Sequence, residues 1–355
     1  MAYFRLLLLP FSVLYGLIIW MRNRFYDWGW IGSTSFNNPI IVVGNLAVGG
    51  TGKSPMTEYL IRLLAGKYNM ATLSRGYGRK TQGFLEVSVN DSATKCGDEP
   101  LQFKHKFPHI TVAVSENRVK GIVRLIQSGH EAIVLDDAFQ HRALRPGFAI
   151  LLFDYQSMWQ PKWLLPAGNY RDCFQERRRA DIMVVTKTPV EASNQEKERI
   201  RHNLSTSLDV PVLFSSIGYG PLIPILPEVR DGATLDRDIS VLLITGIVNP
   251  TPLYDYLATQ VKDIVQLRYP DHHQYTLADI QKMVNRFDEL KNPRKLIITT
   301  EKDAQRFLTP TLSSHLTSLP MYMVPIRITF ENEDEDTFRE LVLNYCANTL
   351  ADNNF

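Results

Sequence analysis

The chain has 355 residues, 45% of them hydrophobic and 21% charged, a balance that fits a globular protein with a buried core and one large or two ordinary domains. Lys and Arg number 39 against 37 Asp and Glu, so no global basic field argues for nucleic acid, and any attraction to an anionic membrane has to come from a local patch. The three cysteines, Cys96, Cys173 and Cys346, are odd in number and form no CxxC pair, which argues against a disulfide framework or a cysteine zinc site and fits a reducing cytosol.

The first segment is the least ordinary. Residues 6–20 are almost wholly apolar, interrupted by Pro10 and Ser12, flanked by Arg5, Arg22 and Arg24, and followed by Trp28 and Trp30. The run is shorter than the roughly 20 residues a spanning helix needs. Bulky Tyr15, Ile18, Ile19 and Trp20 stand where a signal peptide would carry small residues. Residues 1–30 are therefore expected to form a membrane-associated helix lying in the interface, with a core-packing helix as the alternative.

Short β-branched runs at 40–43, 70–73, 133–135, 150–153 and 182–185 read as strands, separated by amphipathic stretches such as 56–65 and 117–127. That alternation predicts βαβ units and a mostly parallel sheet, whose ligands bind at the carboxyl ends of its strands. Residues 212–227 carry Gly218, Gly220, Pro221, Pro224 and Pro227, and residues 212–238 are expected to be a linker. Beyond it, runs at 241–245, 264–267, 295–299 and 321–326 read as strands, 251–259 and 277–290 as helices, and 334–348 as a closing helix. The predicted organisation is α/β throughout: a P-loop NTPase-like domain over 31–211 and a second, smaller α/β domain over 239–355, facing one another across a cleft.

Chemistry concentrates first at residues 40–54, IIVVGNLAVGGTGKS. A buried strand runs into a glycine-rich turn and then a helix, so backbone amides of Gly49, Gly50, Thr51 and Gly52 can cradle phosphate oxygens at the positive end of that helix. Lys53 would reach the β- and γ-phosphates of ATP, and the Ser54 hydroxyl would bind Mg2+. Ala47 stands where the motif usually has its first glycine. The second signal, IVLDDAFQHR at 133–142, ends a strand in Asp136 and Asp137, where a P-loop enzyme places the acid that supports Mg2+; helix capping is the plainer reading of paired acids. His141 reads either as a packing histidine or as part of the site. GDEP at 97–100 looks like a helix start, yet a kinase acting on an alcohol needs a group to accept the hydroxyl proton, and Asp98 is a candidate. YPDHH at 269–273 is a polar loop, a metal site or a catalytic histidine, and the arginines of SRGYGR at 74–79 suit phosphate recognition.

Taken alone, the P-loop also fits a GTPase or metal-chaperone-type switch at the membrane. Thr186-Lys187 faintly resembles a base-reading loop, but Thr188 and Pro189 follow and no NKxD is formed. A non-enzymatic membrane protein with a relic P-loop is disfavoured by the intact Lys53, Ser54 and paired acids.

Together these motifs resemble one family, the tetraacyldisaccharide 4'-kinases that act on lipid A precursors in Gram-negative bacteria. The matching stretches run in order along nearly the whole chain: VGNLAVGGTGKSP at 43–55, LSRGYGR at 73–79, GDEP at 97–100, LDDAFQHR at 135–142, LLPAGNYRD at 164–172, TGIVNP at 245–250, YPDHH at 269–273 and TTEKDAQR at 299–306. The resemblance implies transfer of the ATP γ-phosphate to the 4'-hydroxyl of a disaccharide lipid precursor by a peripheral enzyme at the cytoplasmic face of the inner membrane, with no nucleic acid and no obligate protein partner. It implies that Lys53 and Ser54 hold triphosphate and Mg2+, that Asp136 and Asp137 lie at the metal, that Asp98 is the base and that His272 is its partner. Arg75, Arg118, His141 and Arg171 would lie around phosphates or substrate. Three positions depart from the family pattern: Ser54 where Thr is commoner, Asn169 where many members have Pro, and Asp172 where Glu is expected, which keeps the charge but shortens its reach.

Overall fold

The computed structural model describes residue 5 and residues 7–205, 210–229, 232–271 and 273–352. The chain divides into two compact units, the first made of residues 1–217 and 328–355, the second of residues 218–327.

The first unit holds the strands β1 (Ile40–Asn45), β2 (Met70–Ser74), β3 (Leu85–Glu86), β4 (Thr111–Val114), β5 (Ala132–Asp136), β6 (Phe148–Asp154) and β7 (Ile182–Thr186). With β8 (Val212–Tyr219) and β14 (Ile326–Phe330), they form a nine-stranded sheet in the order β14-β8-β7-β6-β1-β5-β2-β4-β3. The ladders from β8 through β7, β6, β1, β5 and β2 to β4 are parallel, and β3 is antiparallel to β4. Every residue of β1, β2, β5 and β7 is buried, as expected when helices cover both faces of a parallel sheet. Alternate residues of β1 feed opposite cores. Ile41 and Val43 pack with Met56, Leu60 and Phe338, whereas Ile40 and Val42 pack with Ile122, Leu125 and Ile200. The strand order reverses at β1, so its carboxyl end opens the crevice where such sheets bind ligands.

The second unit contains β9 (Ile223–Pro224), β10 (Ser240–Thr245), β11 (Asp263–Arg268), β12 (Lys295–Thr300) and β13 (Met321–Val324), ordered β11-β10-β12-β13-β9. All pairs are parallel except β9 against β13. Pro224 is tolerated because β9 is an edge strand.

Two expectations about organisation need correction. Residues 212–219 are a sheet strand, not the start of a linker, because Leu213 and Phe214 are buried and pair beside β7; the glycines and prolines begin only where that strand ends. The closing helix, Asn332–Ala351, belongs to the first unit rather than the second. Its residues Phe338, Val342 and Cys346, spaced four apart on one face, are fully buried in the core that contains Ile41 and Val43, and the Tyr345 hydroxyl accepts a bond from the Ile40 amide at 3.0 Å.

The N-terminal helix, Leu9–Asp27, has its polarity turned inside out. Its buried residues are Ser12 and Asn23, while Phe11, Leu14, Leu17 and Ile18 are all more than half exposed. None of its apolar side chains joins a core cluster of the described residues, which removes the core-packing alternative. Among the described residues no helix is long and apolar enough to cross a membrane.

The ring of Phe338 stacks on Phe330 at 4.9 Å and meets Tyr59 edge-on at 5.5 Å. Phe338→Ala is expected to destabilise the first unit by about 3–5 kcal/mol, measured by urea unfolding, since it opens a cavity in a closed core. A loss below about 1 kcal/mol would show that the C-terminal helix does not complete this core.

Candidate active site at the carboxyl end of β1

The turn after β1 is fixed by its own hydrogen bonds. Asn45 donates through Nδ2 to Thr51 Oγ1 at 2.7 Å, and Thr186 at the end of β7 donates to the Thr51 carbonyl at 2.9 Å. Gly49 and Gly52 take φ of +112° and +85°, conformations that glycine reaches without strain. Ala47 has no such backbone and instead bridges to Tyr170, so that position makes no demand for glycine and the departure from the usual motif is harmless. Lys53 opens the following helix, Lys53–Leu64, with Ser54 beside it.

β5 delivers the two carboxylates in different states. Asp136, its last residue, is buried and within 3.4 Å of the Thr57 hydroxyl; burial pushes its carboxyl up to about 8, helped by the negative charges of Glu99 and Asp137. Asp137 follows with φ of +51°, an uncommon left-handed conformation for a non-glycine residue. Burial alone would raise its carboxyl. The hydrogen bond from Arg171, reinforced by Lys53 and Arg118, instead holds it below the usual carboxylate range. Arg171 grips both Asp137 oxygens, one at 3.1 Å, and also reaches Asn45 Oδ1 at 2.5 Å. Lys53 Nζ lies 4.0 Å from Asp137. The structure thus brings Lys53, Asp136, Asp137 and Arg171 into one corner.

Glu99 is a site residue the motif reading passed over. Gly97, at φ of +98°, presses its backbone against Gly76 and Tyr77, where a Cβ would meet atoms 3.1–3.2 Å away, and so starts the helix Asp98–Lys106 beside the SRGYGR turn. Glu99 then accepts the Ser54 hydroxyl at 3.1 Å, while Asp98 stands exposed at the helix start. The sequence signal was GDEP itself, in which the glycine and the second acid mattered as much as Asp98. Asn45 was also missed, because an asparagine ending a strand has no distinguishing pattern.

The remaining candidates divide. Arg118 is buried and donates to the Ser115 and Glu116 carbonyls at 3.1 and 3.0 Å; burial, with Arg75 nearby, lowers it to about 10. His141 has a buried Nε2 without a hydrogen-bond partner, and burial together with Arg118, Arg22 and Arg75 pushes it down to about 4. Arg75 is exposed, so Arg75 and Arg118 form a cationic flank beside the acids, with the His141 ring held neutral next to them. Arg79 of the same turn is not available for phosphate, because Glu116 and the Gly83 carbonyl hold it. Asp172 is fully buried and accepts Asn23 Nδ2 at 2.8 Å, which gives it a partner on the N-terminal helix in place of a metal. In YPDHH, His273 bonds Asp279 at 3.0 Å and stacks on Tyr269, as part of a helix start. His272 lies outside the described residues. Lys187, the candidate base-reading lysine, pairs with Asp154 at 2.7 Å.

The donor set fits Mg2+. Ser54, Glu99, Asp136 and Asp137 are hard oxygen donors, and the negative charges of Glu99 and Asp137, which add to burial in raising Asp136, are what a divalent cation would offset. Among the described residues no three His, Cys, Asp or Glu side chains form a ready-made cage, in keeping with an ion that takes one or two carboxylates and completes its shell with phosphates and water.

Because a folded His141 resists a proton that the unfolded chain takes up near its ordinary value, stability is expected to fall as pH drops below about 6.5. Histidine NMR is expected to show this ring neutral from about pH 5 to 8; a midpoint near its ordinary value would contradict the described environment.

Comparison with known proteins places these features. A family profile described as tetraacyldisaccharide-1-P 4'-kinase matches residues 4–347. The tetraacyldisaccharide 4'-kinase of Bacteroides thetaiotaomicron is 39% identical over 98% of this chain and 95% of its own length. The protein of the same name from Flavobacterium johnsoniae is 42% identical, with 98% of each chain covered. A crystal structure of LpxK from Aquifex aeolicus, an "apo" form in complex with ATP, has a TM-score of 0.73 and 29% identity, covering 96% of this chain and 99% of that one. The chain belongs to the tetraacyldisaccharide-1-P 4'-kinase family.

Proposed function

We propose that this protein transfers the γ-phosphate of ATP to the 4'-hydroxyl of a tetraacyldisaccharide 1-phosphate, a lipid A precursor of lipopolysaccharide, at the cytoplasmic face of the bacterial inner membrane. The observation that carries the reading is the corner where Lys53, Arg171, Asp136 and Asp137 meet the glycine turn at the carboxyl end of β1. Phosphoryl transfer asks little covalent chemistry of the protein and much alignment and charge compensation, and this corner is built for both. Amides of Gly49, Gly50, Thr51 and Gly52 and the Lys53 ammonium take the phosphates. Ser54, Asp136, Asp137 and Glu99 would hold Mg2+, whose charge offsets the β- and γ-oxygens. Asp98, exposed beside Glu99, is the base for the sugar hydroxyl. Arg75, Arg118 and His141 serve the substrate side.

The outward apolar face of the N-terminal helix suits an amphiphilic substrate whose acyl chains stay in the bilayer. With Arg5, Arg22 and Arg24 at its ends and Trp28 and Trp30 beyond, the helix lies in the interface and the protein is peripheral, working on the headgroup in place. A nucleotide-switch reading has less support, since Lys187 of the TK pair is held by Asp154.

Incubation with Mg2+, ATP and tetraacyldisaccharide 1-phosphate in detergent is expected to add one phosphate to the lipid by mass analysis. Unmodified lipid under permissive conditions would defeat the proposal. Lys53→Ala is expected to lower kcat by about 100- to 1,000-fold or more, and Asp98→Asn by about 100-fold or more; near-normal turnover in either variant would remove that residue from its role.

A further inference from the structure

The segment 169–172 is tied on one side to the N-terminal helix and on the other to the phosphate-binding turn. Toward the turn, Val48 donates its amide to the Asn169 carbonyl at 2.8 Å, Ala47 bridges to Tyr170, and the Arg171 amide donates to the Leu46 carbonyl at 2.8 Å. The Arg171 guanidinium then reaches Asp137 and Asn45. Toward the helix, Arg5 donates to Asn169 Oδ1 at 3.0 Å, the Tyr15 hydroxyl donates to the Arg171 carbonyl at 2.8 Å, and Asn23 donates to Asp172 at 2.8 Å. Ser12 donates to the Leu164 carbonyl at 3.0 Å and accepts the Ala167 amide at 2.9 Å. Gly16 faces the end of the Leu164 side chain, which a Cβ there would meet at 2.7 Å.

An apolar helix whose only task is to hold a membrane has no need for these bonds. Asn23 and Asp172 are both essentially buried, and Asn23 shares the carboxylate with the Cys173 amide at 2.8 Å and Arg179 at 3.7 Å, so removing one of these donors from a buried charge is costly. The bonds are made to the backbone and side chain on either side of the Arg171 guanidinium, so they determine where that group can be. We propose that Tyr15 and Asn23 are positioning residues for the nucleotide site, acting through residues 171 and 172 to hold Arg171 against Asp137. The helix thereby carries two separate functions, an apolar face for the lipid surface and a polar stripe that keeps the phosphate corner in shape. This inference rests on the reading of that corner as an ATP-phosphate site.

The test separates positioning from attachment by measuring Mg·ATP binding in detergent micelles, with neither bilayer nor lipid substrate present. Calorimetry is expected to show Tyr15→Phe weakening Mg·ATP affinity by about threefold and Asn23→Ala by about tenfold, the fold-changes that correspond to losing one hydrogen bond and to leaving a buried carboxylate short of a donor. The double variant Asn23→Ala, Asp172→Asn is expected to recover part of that loss, because it removes a buried carboxylate that would otherwise depend on the Cys173 amide and on Arg179 at 3.7 Å alone. Tyr15→Phe keeps the ring and serves where Asn23→Ala folds poorly, with thermal unfolding measured on each variant. Affinities within a factor of about 1.5 of the unsubstituted protein, in variants with normal unfolding temperatures, would overturn the inference while leaving the kinase reading intact. If the unsubstituted protein fails to bind Mg·ATP, the functional reading itself fails.

Discussion

A triphosphate brings several negative charges into a crevice that already contains Asp136, Asp137 and Glu99, and the site has to keep enough positive charge at hand without neutralising it in advance. The contact on which this depends is Arg171 with Asp137. Held between Arg171 and Lys53, Asp137 stays ionised; its neighbour Asp136, one residue back and without such a partner, is pushed toward the neutral acid by burial. Adjacent residues of the same type are thus shifted in opposite directions, because one ends a buried strand and the other turns out of it toward Arg171 with a left-handed backbone. Arg171 is committed to Asp137, but Lys53 is poised rather than satisfied: it stands 4.0 Å from that carboxylate, far enough to turn toward an incoming phosphate.

The inverted N-terminal helix follows from the same economy of polar groups. An ordinary surface helix buries its apolar stripe and hydrates its polar one. Here Ser12, Tyr15 and Asn23 face protein groups that need partners, and Phe11, Leu14, Leu17 and Ile18 are left exposed. Exposed aliphatic and aromatic surface of that extent is costly in solution and favourable in an acyl-chain interface. If the helix lies in the membrane interface as proposed, a kinase with a lipid substrate gains from having its nucleotide site bonded to it.

Much of this was legible in the sequence because buried parallel strands announce themselves. The runs at 40–43, 133–135 and 182–185 are β-branched and unbroken since both faces of the sheet are covered, and the glycines, lysine and serine of the turn have a shape that no other task explains. The pairing of acids at 136 and 137 was visible, but their opposite protonation tendencies depend on Glu99 and Arg171, which come from distant segments. Residues 212–219 were hidden by the glycines and prolines crowding the end of the strand, and the sheet membership of β14 by its half-exposed alternation at the edge. The closing helix was correctly located, but only the burial of Phe338, Val342 and Cys346 assigns it to the first unit. Arg79 and His273 carry the residue types of a functional group and turn out to hold loops together, which spacing cannot distinguish.

The central claim concerns which oxygen receives the phosphate, and one measurement addresses it without intermediaries. Phosphorus–proton correlation NMR on the lipid product, after reaction with ATP and Mg2+, reads the sugar proton coupled to the new phosphomonoester. A new phosphorus signal coupled to H4', beside the original anomeric phosphate, is the predicted result. A phosphate on any other hydroxyl, or phosphorus recovered only as inorganic phosphate, would contradict the account.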